Sequence, residues 1–409
     1  MSRDARLLFL ARAVRMFGYG ALGVILVLYL AEAGLAPGEI GVLLTLTLVG
    51  DTLISLFLTT HADRIGRRRT LILGAVLLAG AGVVFAGSSG FVVLLVAATI
   101  GVLSPSGAEV GPFLPIEQAS LTEVTPADRR TGTYAWYNLV GSMATATGAL
   151  VAGVVAGALQ DAGWPAIDAY RAILLGYAVA GLALVPIVRL VSPKVEVPPV
   201  DTSVARRLGL HRSQGVVARL AALFALDAFG GGLIVQSLVA FWFHERFATP
   251  EPVLGAIFFG ANILAAVSAL AAARIAARIG LINTMVFTHL PSNVLLMLVP
   301  LMPTVELAVL VLLARFSISQ MDVPARQSYT VSIVDPDERS AAAGITGVAR
   351  TTGAALSPLI AAPLFAVPAL AAVPFFLAGG LKIVYDLALW AGFRRRIPPG
   401  EQRRRAPAA

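Results

Sequence analysis

The sequence predicts an all-α membrane protein, with twelve transmembrane helices in two pseudo-symmetric six-helix bundles. Three observations carry that prediction. Apolar residues make up 57% of the 409 and charged residues only 13%, with a mean hydropathy of +0.83. A water-soluble fold cannot cover itself with so little polar surface. The apolar residues collect in runs of about 20, the length that crosses a bilayer core of ~30 Å. The chain also carries a faint internal repeat. Residues 61–72, HADRIGRRRTLI, match residues 275–286, IAARIGLINTMV, and Phe17-Gly18-Tyr19-Gly20 matches Phe229-Gly230-Gly231-Gly232. Each copy lies half a chain from its partner. Two such modules facing each other form a path that opens to either side in turn, which is carrier design.

In chain order the spans are expected near 8–32, 39–60, 70–88, 91–121, 132–158, 171–191, 217–243, 252–273, 281–301, 305–333, 341–364 and 368–392. The first begins like a secretory signal, with Arg3, Arg6 and Ala31-Glu32-Ala33 as a cleavage-like site. Arg12 and Arg15 interrupt its apolar run, however, and residues 17–20 recur in the second half, so it reads as a span. The fourth and tenth exceed a single crossing, and tilt or extension into the cytoplasm would absorb the excess. Pro105, Pro112 and Pro115 are expected to bend the fourth.

An even count puts both termini on one side. The Arg64–Arg69 stretch, Arg129, Arg130, residues 194–219, Arg274, Arg278, Arg339 and the Arg-rich tail share that side with Arg3 and Arg6. The positive-inside rule therefore places both termini in the cytoplasm of a multi-pass cytoplasmic (inner) membrane protein. The domains read as an amino-terminal bundle (1–191), a cytoplasmic linker (192–216), a second bundle (217–393) and a basic tail (394–409). All four Trp, at 136, 164, 242 and 390, fall at span ends, as an interfacial belt requires.

Composition also excludes function classes. Cysteine is absent, so disulfides and thiolate metal sites are ruled out. The net charge of +8 sits in short loops on one side of the apolar runs rather than on a nucleic-acid-binding face. Gly18-x-Gly20-x-x-Gly23 formally fits a dinucleotide fingerprint, but it lies inside a span with no preceding strand. No Walker A, HExxH or GxSxG pattern occurs, which argues against a pump or a hydrolase. No cofactor, metal or enzymatic activity is expected.

Asp63-Arg64-x-Gly66-Arg67-Arg68-Arg69, between the second and third spans, resembles the G-x-x-x-D-R-x-G-R-[KR] loop of the major facilitator superfamily. The twelve spans, the central basic linker and the weaker copy after the eighth span extend the resemblance over essentially the whole chain. It implies a latch on the cytoplasmic gate, formed by Asp63, Arg64, Gly66, Arg67 and Arg68, with Glu123 or the start of the eleventh span as partner. Thr59 replaces the family's first glycine, which implies looser helix contact there. A glycine-rich motif with Gly-Pro, frequent in the fifth span of the family's proton antiporters, is missing. Gly141, Gly148, Gly153 and Gly157 supply only small residues.

Each charge at mid-bilayer costs at least ~2.5–3.5 kcal/mol and needs a reason. The acids are Asp51, Glu109, Glu117, Asp227, Asp322 and Asp386; the bases are Arg12, Arg15, Arg315, Arg326, Arg350 and Lys382. Thr47, Asp51 and Ser55 share one face of the second span. Ser106, Glu109, Phe113 and Glu117 fall near one face of the fourth, and Arg315, Ser319, Asp322 and Arg326 form a stripe on the tenth. The repeat sets Arg15 opposite Asp227. Asp322–Arg326 and Lys382–Asp386 are one helical turn apart and suit internal pairs. Asp51 and Glu109 have no base within a turn and stand out as proton or cation carriers. His289 reads either as a proton relay or as a hydrogen-bonded packing residue. Gly230 to Gly232 suit either bending or close helix contact.

The reading is a secondary transporter working by alternating access, with a small-molecule substrate and protons as partners, the lipid bilayer around it, no nucleic acid, and a monomer as the working unit. Arg15, Asp51, Glu109, Glu117, Asp227, His289, Asp322, Arg326, Lys382 and Asp386 are its expected substrate and proton path, with Tyr19 and Asn262 as neutral contacts. Proton-coupled export of a small amphiphilic compound competes with transport of an organic anion or zwitterion. A channel or lipid scramblase is the non-carrier alternative.

Overall fold

A computed structural model describes residues 1–126, 129–196, 210, 212–335 and 338–396, apart from the side chains of Asp63, Thr131 and Ser340. Most of the expected linker and the basic tail lie outside these residues. Sixteen α-helices form among the described residues. They are α1 (Arg3–Glu32), α2 (Pro37–Ile65), α3 (Arg67–Gly87), α4 (Phe91–Ile100), α5 (Phe113–Val124), α6 (Arg130–Asp161), α7 (Ala166–Arg189) and α8 (Gln214–Gly232), then α9 (Gln236–Phe247), α10 (Glu251–Ile279), α11 (Leu281–Leu298), α12 (Val305–Phe316), α13 (Asp322–Ser332), α14 (Arg339–Leu356), α15 (Pro358–Phe365) and α16 (Val373–Phe393). No strand occurs among the described residues.

Among the described residues, ten helical stretches are long and apolar enough to cross a membrane, with α8 and α9 acting as one stretch and α14 and α15 as another. The fourth and tenth expected spans are each broken in two. Residues 101–112 are irregular between α4 and α5, and residues 317–321 turn between α12 and α13. A break thus interrupts each of the two spans, which corrects the expectation of two continuous long helices. In the fourth span, Pro105 and Pro112 lack an N–H, and Gly107 and Gly111 adopt φ of +67° and +80°, so the helix cannot continue. Ser106 and Glu109 therefore sit on no helix face. In the tenth, the Ser317 hydroxyl donates to the Ala314 carbonyl at 2.7 Å, competing with the helix ladder.

Both copies of the sequence repeat do the same structural work. Gly66 joins α2 to α3 at φ +102°, and Gly280 joins α10 to α11 at φ +90°. A side chain is strained in that region, so glycine is required. Thr70 and Thr284 each bond back to these glycine carbonyls, through their hydroxyls at 2.9 and 2.8 Å. The Phe-Gly copies match as well. A Cβ on Gly20 would lie 2.0 Å from the Thr145 carbonyl of α6, and one on Gly232 would lie 2.4 Å from the Ala354 carbonyl of α14. Gly148 and Gly353 return the contacts, 1.9 Å from the Phe17 carbonyl and 2.3 Å from the Ala225 carbonyl. Small residues let these backbones touch, the usual helix adhesive in lipid. Gly232 also ends α8, so the stretch serves both close contact and a break.

The chain forms two contact units: Met1–Asp201 with Val235–Ile263, and Thr202–Ile234 with Leu264–Ala409. In the first, α1 is buried along most of its length and packs against α6, α7 and α9. In the second, α8 packs on α14 and α16, and α16 on α11. Polarity is inverted relative to a soluble protein. Val92 is 68% exposed and Leu310 63%, whereas Arg15, Glu117 and Asp386 are at most 1% exposed. Apolar side chains outside and charges inside are what a lipid surround demands. Trp136 and Trp164 are exposed, as an interfacial belt requires. Trp242 departs from that pattern: it is buried against Phe243 and Phe247, so packing decides its position.

Candidate functional site

Irregular backbone at membrane depth persists only where other groups satisfy it. Around residues 101–112 side chains and backbone of other helices supply such partners. Tyr177 donates its hydroxyl to the Val102 carbonyl, the Ser237 N–H to Pro105 at 3.1 Å, and the Tyr19 hydroxyl to Val110 at 3.2 Å. The Gly111 N–H donates to Asp51 Oδ1 at 2.6 Å. Tyr19, expected as a neutral contact, thus holds the broken span open. Asn262 bonds Gln236 at 3.2 Å and the Phe258 carbonyl at 2.8 Å.

The break delivers Glu109 and Glu117 to α1. Arg15 grips Glu117 with both terminal nitrogens, at 2.7 and 2.8 Å, and reaches Glu109 through Nε at 2.9 Å. Arg12 closes on the other Glu109 oxygen at 2.8 Å. The Tyr137 hydroxyl donates to Glu117, and the Arg15 and Arg12 guanidinium carbons sit 4.3 Å over the Phe113 and Tyr137 rings. A bidentate, ring-stacked arginine is the strongest form of ion pair. Glu109, with no base within a turn of its own segment, is therefore ion-paired to Arg15 and Arg12, because the break carries it to arginines that its own span does not hold. Asp51 differs. Besides Gly111 it meets only the Ser55 hydroxyl, at 3.3 Å, and no cation contacts it among the described residues.

The second unit gathers the remaining charges around Asp227 on α8. Lys382 contacts its Oδ1 at 2.7 Å; Arg326 and Arg350 contact Oδ2 at 3.2 and 3.6 Å; and His289 Nε2 stands 3.9 Å away. Arg326 also holds Asp322 at 2.9 Å, one helical turn off, as its spacing predicts. Lys382 does not pair with Asp386. It turns to Asp227 instead, while Asp386 accepts from His289 at 2.9 Å and Asn293 at 3.0 Å. An aspartate one turn from a lysine on the same helix loses to a carboxylate that packs directly against it. Arg315 is buried with no carboxylate within 4 Å among the described residues, and its Nε lacks a hydrogen-bond partner.

At the α2–α3 turn, Arg67 lies 3.9 Å from Glu123, the expected partner. Glu196, just beyond the sixth span, takes the closer place. Its carboxylate caps α3 by accepting the Arg67 and Arg68 N–H groups at 2.7 and 3.1 Å. Asp4 anchors the same segment through the Ser192 N–H at 2.9 Å. The Asp63 side chain lies outside the described ones, and Arg64 is exposed. Sequence reasoning named Arg350 only as an intramembrane base and missed Glu196, Asn293, Tyr137 and Gln236, of which only Glu196 was marked by its charge. It also missed Glu251, which accepts from Gln160 at 3.0 Å and from Tyr170.

Residues 8–358 match the model of a family described as the Major Facilitator Superfamily. The Saccharomyces cerevisiae protein named Uncharacterized membrane protein YJR124C is 29% identical over 419 residues, which cover 95% of this chain and 93% of that one. Among solved structures, the nucleoside transporter NupG superposes with a TM-score of 0.73 at 14% identity, covering 97% of this chain and 100% of its own. The D-xylose–proton symporter gives 0.73 at 15%, covering 98% and 99%. The human organic anion transporter MFSD10 gives 0.63 at 16%, covering 95% and 100%. At such identities these structures share the fold.

Proposed function

The chain belongs to the Major Facilitator Superfamily, and we propose that it is a proton-coupled secondary transporter exporting a small amphiphilic compound by alternating access, with Asp51 carrying the proton. The observation behind this reading is the isolation of Asp51. Of the six carboxylates in the two clusters, five meet Arg, Lys or His, whereas Asp51 meets an amide and a hydroxyl. A carboxylate without a counter-ion inside a membrane accepts a proton readily and gives it up when wetted. Because Asp51 also holds Gly111, loading the proton weakens an acceptor that the broken fourth span uses. Proton state and the shape of that span are thereby linked. One uncompensated carboxylate among apolar walls suits an exchange of protons for an amphiphile, driven outward by an inward proton gradient. Arg67, Arg68 and Glu123, joined by Glu196, belong to a latch on the cytoplasmic gate, and the motif assigns Asp63 and Arg64 to it.

The test is a substrate panel in proteoliposomes with and without a pH gradient, repeated on Asp51→Asn. The variant is expected to keep saturable counterflow and lose gradient-driven accumulation. Undiminished accumulation would remove Asp51 from the proton path.

A second reading, transport of an organic anion or zwitterion, has its own support. The second unit holds four intramembrane bases, Arg315, Arg326, Arg350 and Lys382, against three acids.

A further inference from the structure

Arg350 stands apart from its neighbours. Lys382 and Arg326 occupy separate oxygens of Asp227 at 2.7 and 3.2 Å, and Arg326 takes Asp322 as well. Both carboxylates are satisfied before Arg350 arrives. It stops 3.6 Å from Asp227, beyond hydrogen-bond range, and its buried Nη1 has no hydrogen-bond partner. The Arg350 side chain is 35% exposed, against 9% for Lys382 and 7% for Arg326. The four intramembrane bases of this unit, Arg315, Arg326, Arg350 and Lys382, outnumber its three acids, Asp227, Asp322 and Asp386, by one positive charge, and Asp386 is held by His289 and Asn293 rather than by any of these bases. A guanidinium with free donors, partial access and a surplus of charge behind it is matched to a planar oxyanion.

We propose that Arg350 binds an anionic group, a carboxylate, sulfonate or phosphate, of the transported molecule, while Arg326 and Lys382 stay locked on Asp227 and keep the surplus charge in place. The inference rests on the transporter reading but not on the role of Asp51. It assigns a binding function to a residue that neither the loop motif nor the helical spacing singles out.

Purified full-length protein in detergent would be titrated with 2-naphthoate, 2-naphthalenesulfonate and inorganic phosphate, with uncharged 2-naphthamide as the shape control, following the melting temperature and heat of binding. At least one anion is expected to stabilise the protein where the amide does not. Arg350→Gln is expected to weaken that binding by about tenfold or more, and Arg350→Lys by less, with the preference for anion over amide kept. Arg246→Gln, at the exposed end of α9, is expected to change nothing. Anions that stabilise wild type no better than the amide would overturn the proposal, as would Arg350→Gln binding them like wild type. Should that variant fail to fold, Arg350→Lys decides: equal binding of anion and amide overturns the assignment. Failure of the transporter reading would look different, with anion binding intact and no substrate flux in vesicles.

Discussion

In the amino-terminal unit one arginine, Arg15, serves two carboxylates, whereas in the carboxy-terminal unit one carboxylate, Asp227, serves three cations. The repeat sets these two residues at matching places, two positions before Phe17 and Phe229. The backbone framework is held in common: Gly20 and Gly232 bring α1 onto α6 and α8 onto α14, and Gly66 and Gly280 turn the chain alike. The sign of the charge at the heart of each unit is reversed, and the partners are reversed with it. What remains over differs accordingly. The first unit retains a lone carboxylate, Asp51, and the second an under-used cation, Arg350. One duplicated scaffold thus offers two opposite chemistries, because helix contact constrains backbone shape while a charge network need only balance itself.

Removing Asp227 should have the largest effect. Asp227→Asn strips three cations of their shared anion, and breaking a buried pair costs about 3–5 kcal/mol. Glu109→Gln takes the carboxylate from Arg12 but keeps an amide oxygen to accept, and leaves Arg15 its two-pronged hold on Glu117, so about 1–3 kcal/mol is expected there. Thermal unfolding in detergent measures both, and equal losses would break the contrast between one arginine with two acids and one acid with three bases. The shared scaffold is tested next. Gly20→Ala and Gly232→Ala each drive a Cβ into a neighbouring backbone carbonyl, and each should cost about 1–3 kcal/mol. A large loss at one site and none at the other would mean that the two halves are not held together alike. The smallest effect is expected from Glu196→Gln, which weakens the cap on α3 by about 0.5–2 kcal/mol. Faster hydrogen exchange in the first turn of α3, with none at the Gly280 turn, would confirm that Glu196 caps α3.

Much of the fold was legible in the residues. Apolar runs marked the spans, and the two short repeats picked out glycines with a common structural duty. Asp322 and Arg326 paired as their helical spacing requires. Lys382 and Asp386 show the limit of such reasoning. Spacing along one helix states who is near, but not which neighbour from another helix comes nearer still. Glu109 shows it again, since its segment leaves the helix and reaches arginines far away in sequence. The prolines there announced a disturbance, but a bend and a break begin from the same residues.

By itself the sequence determined that this chain lives in a membrane, crosses it repeatedly and is built as a duplicated pair, because transfer from water to lipid is settled residue by residue and adds along the chain. The tertiary structure alone decided which charges cancel. Ion pairing depends on distances of a few ångströms between side chains from different helices, and no local pattern encodes them. That is why Glu109 proved paired, Lys382 chose Asp227, and Asp51 and Arg350 stand where the pairing leaves a group to act.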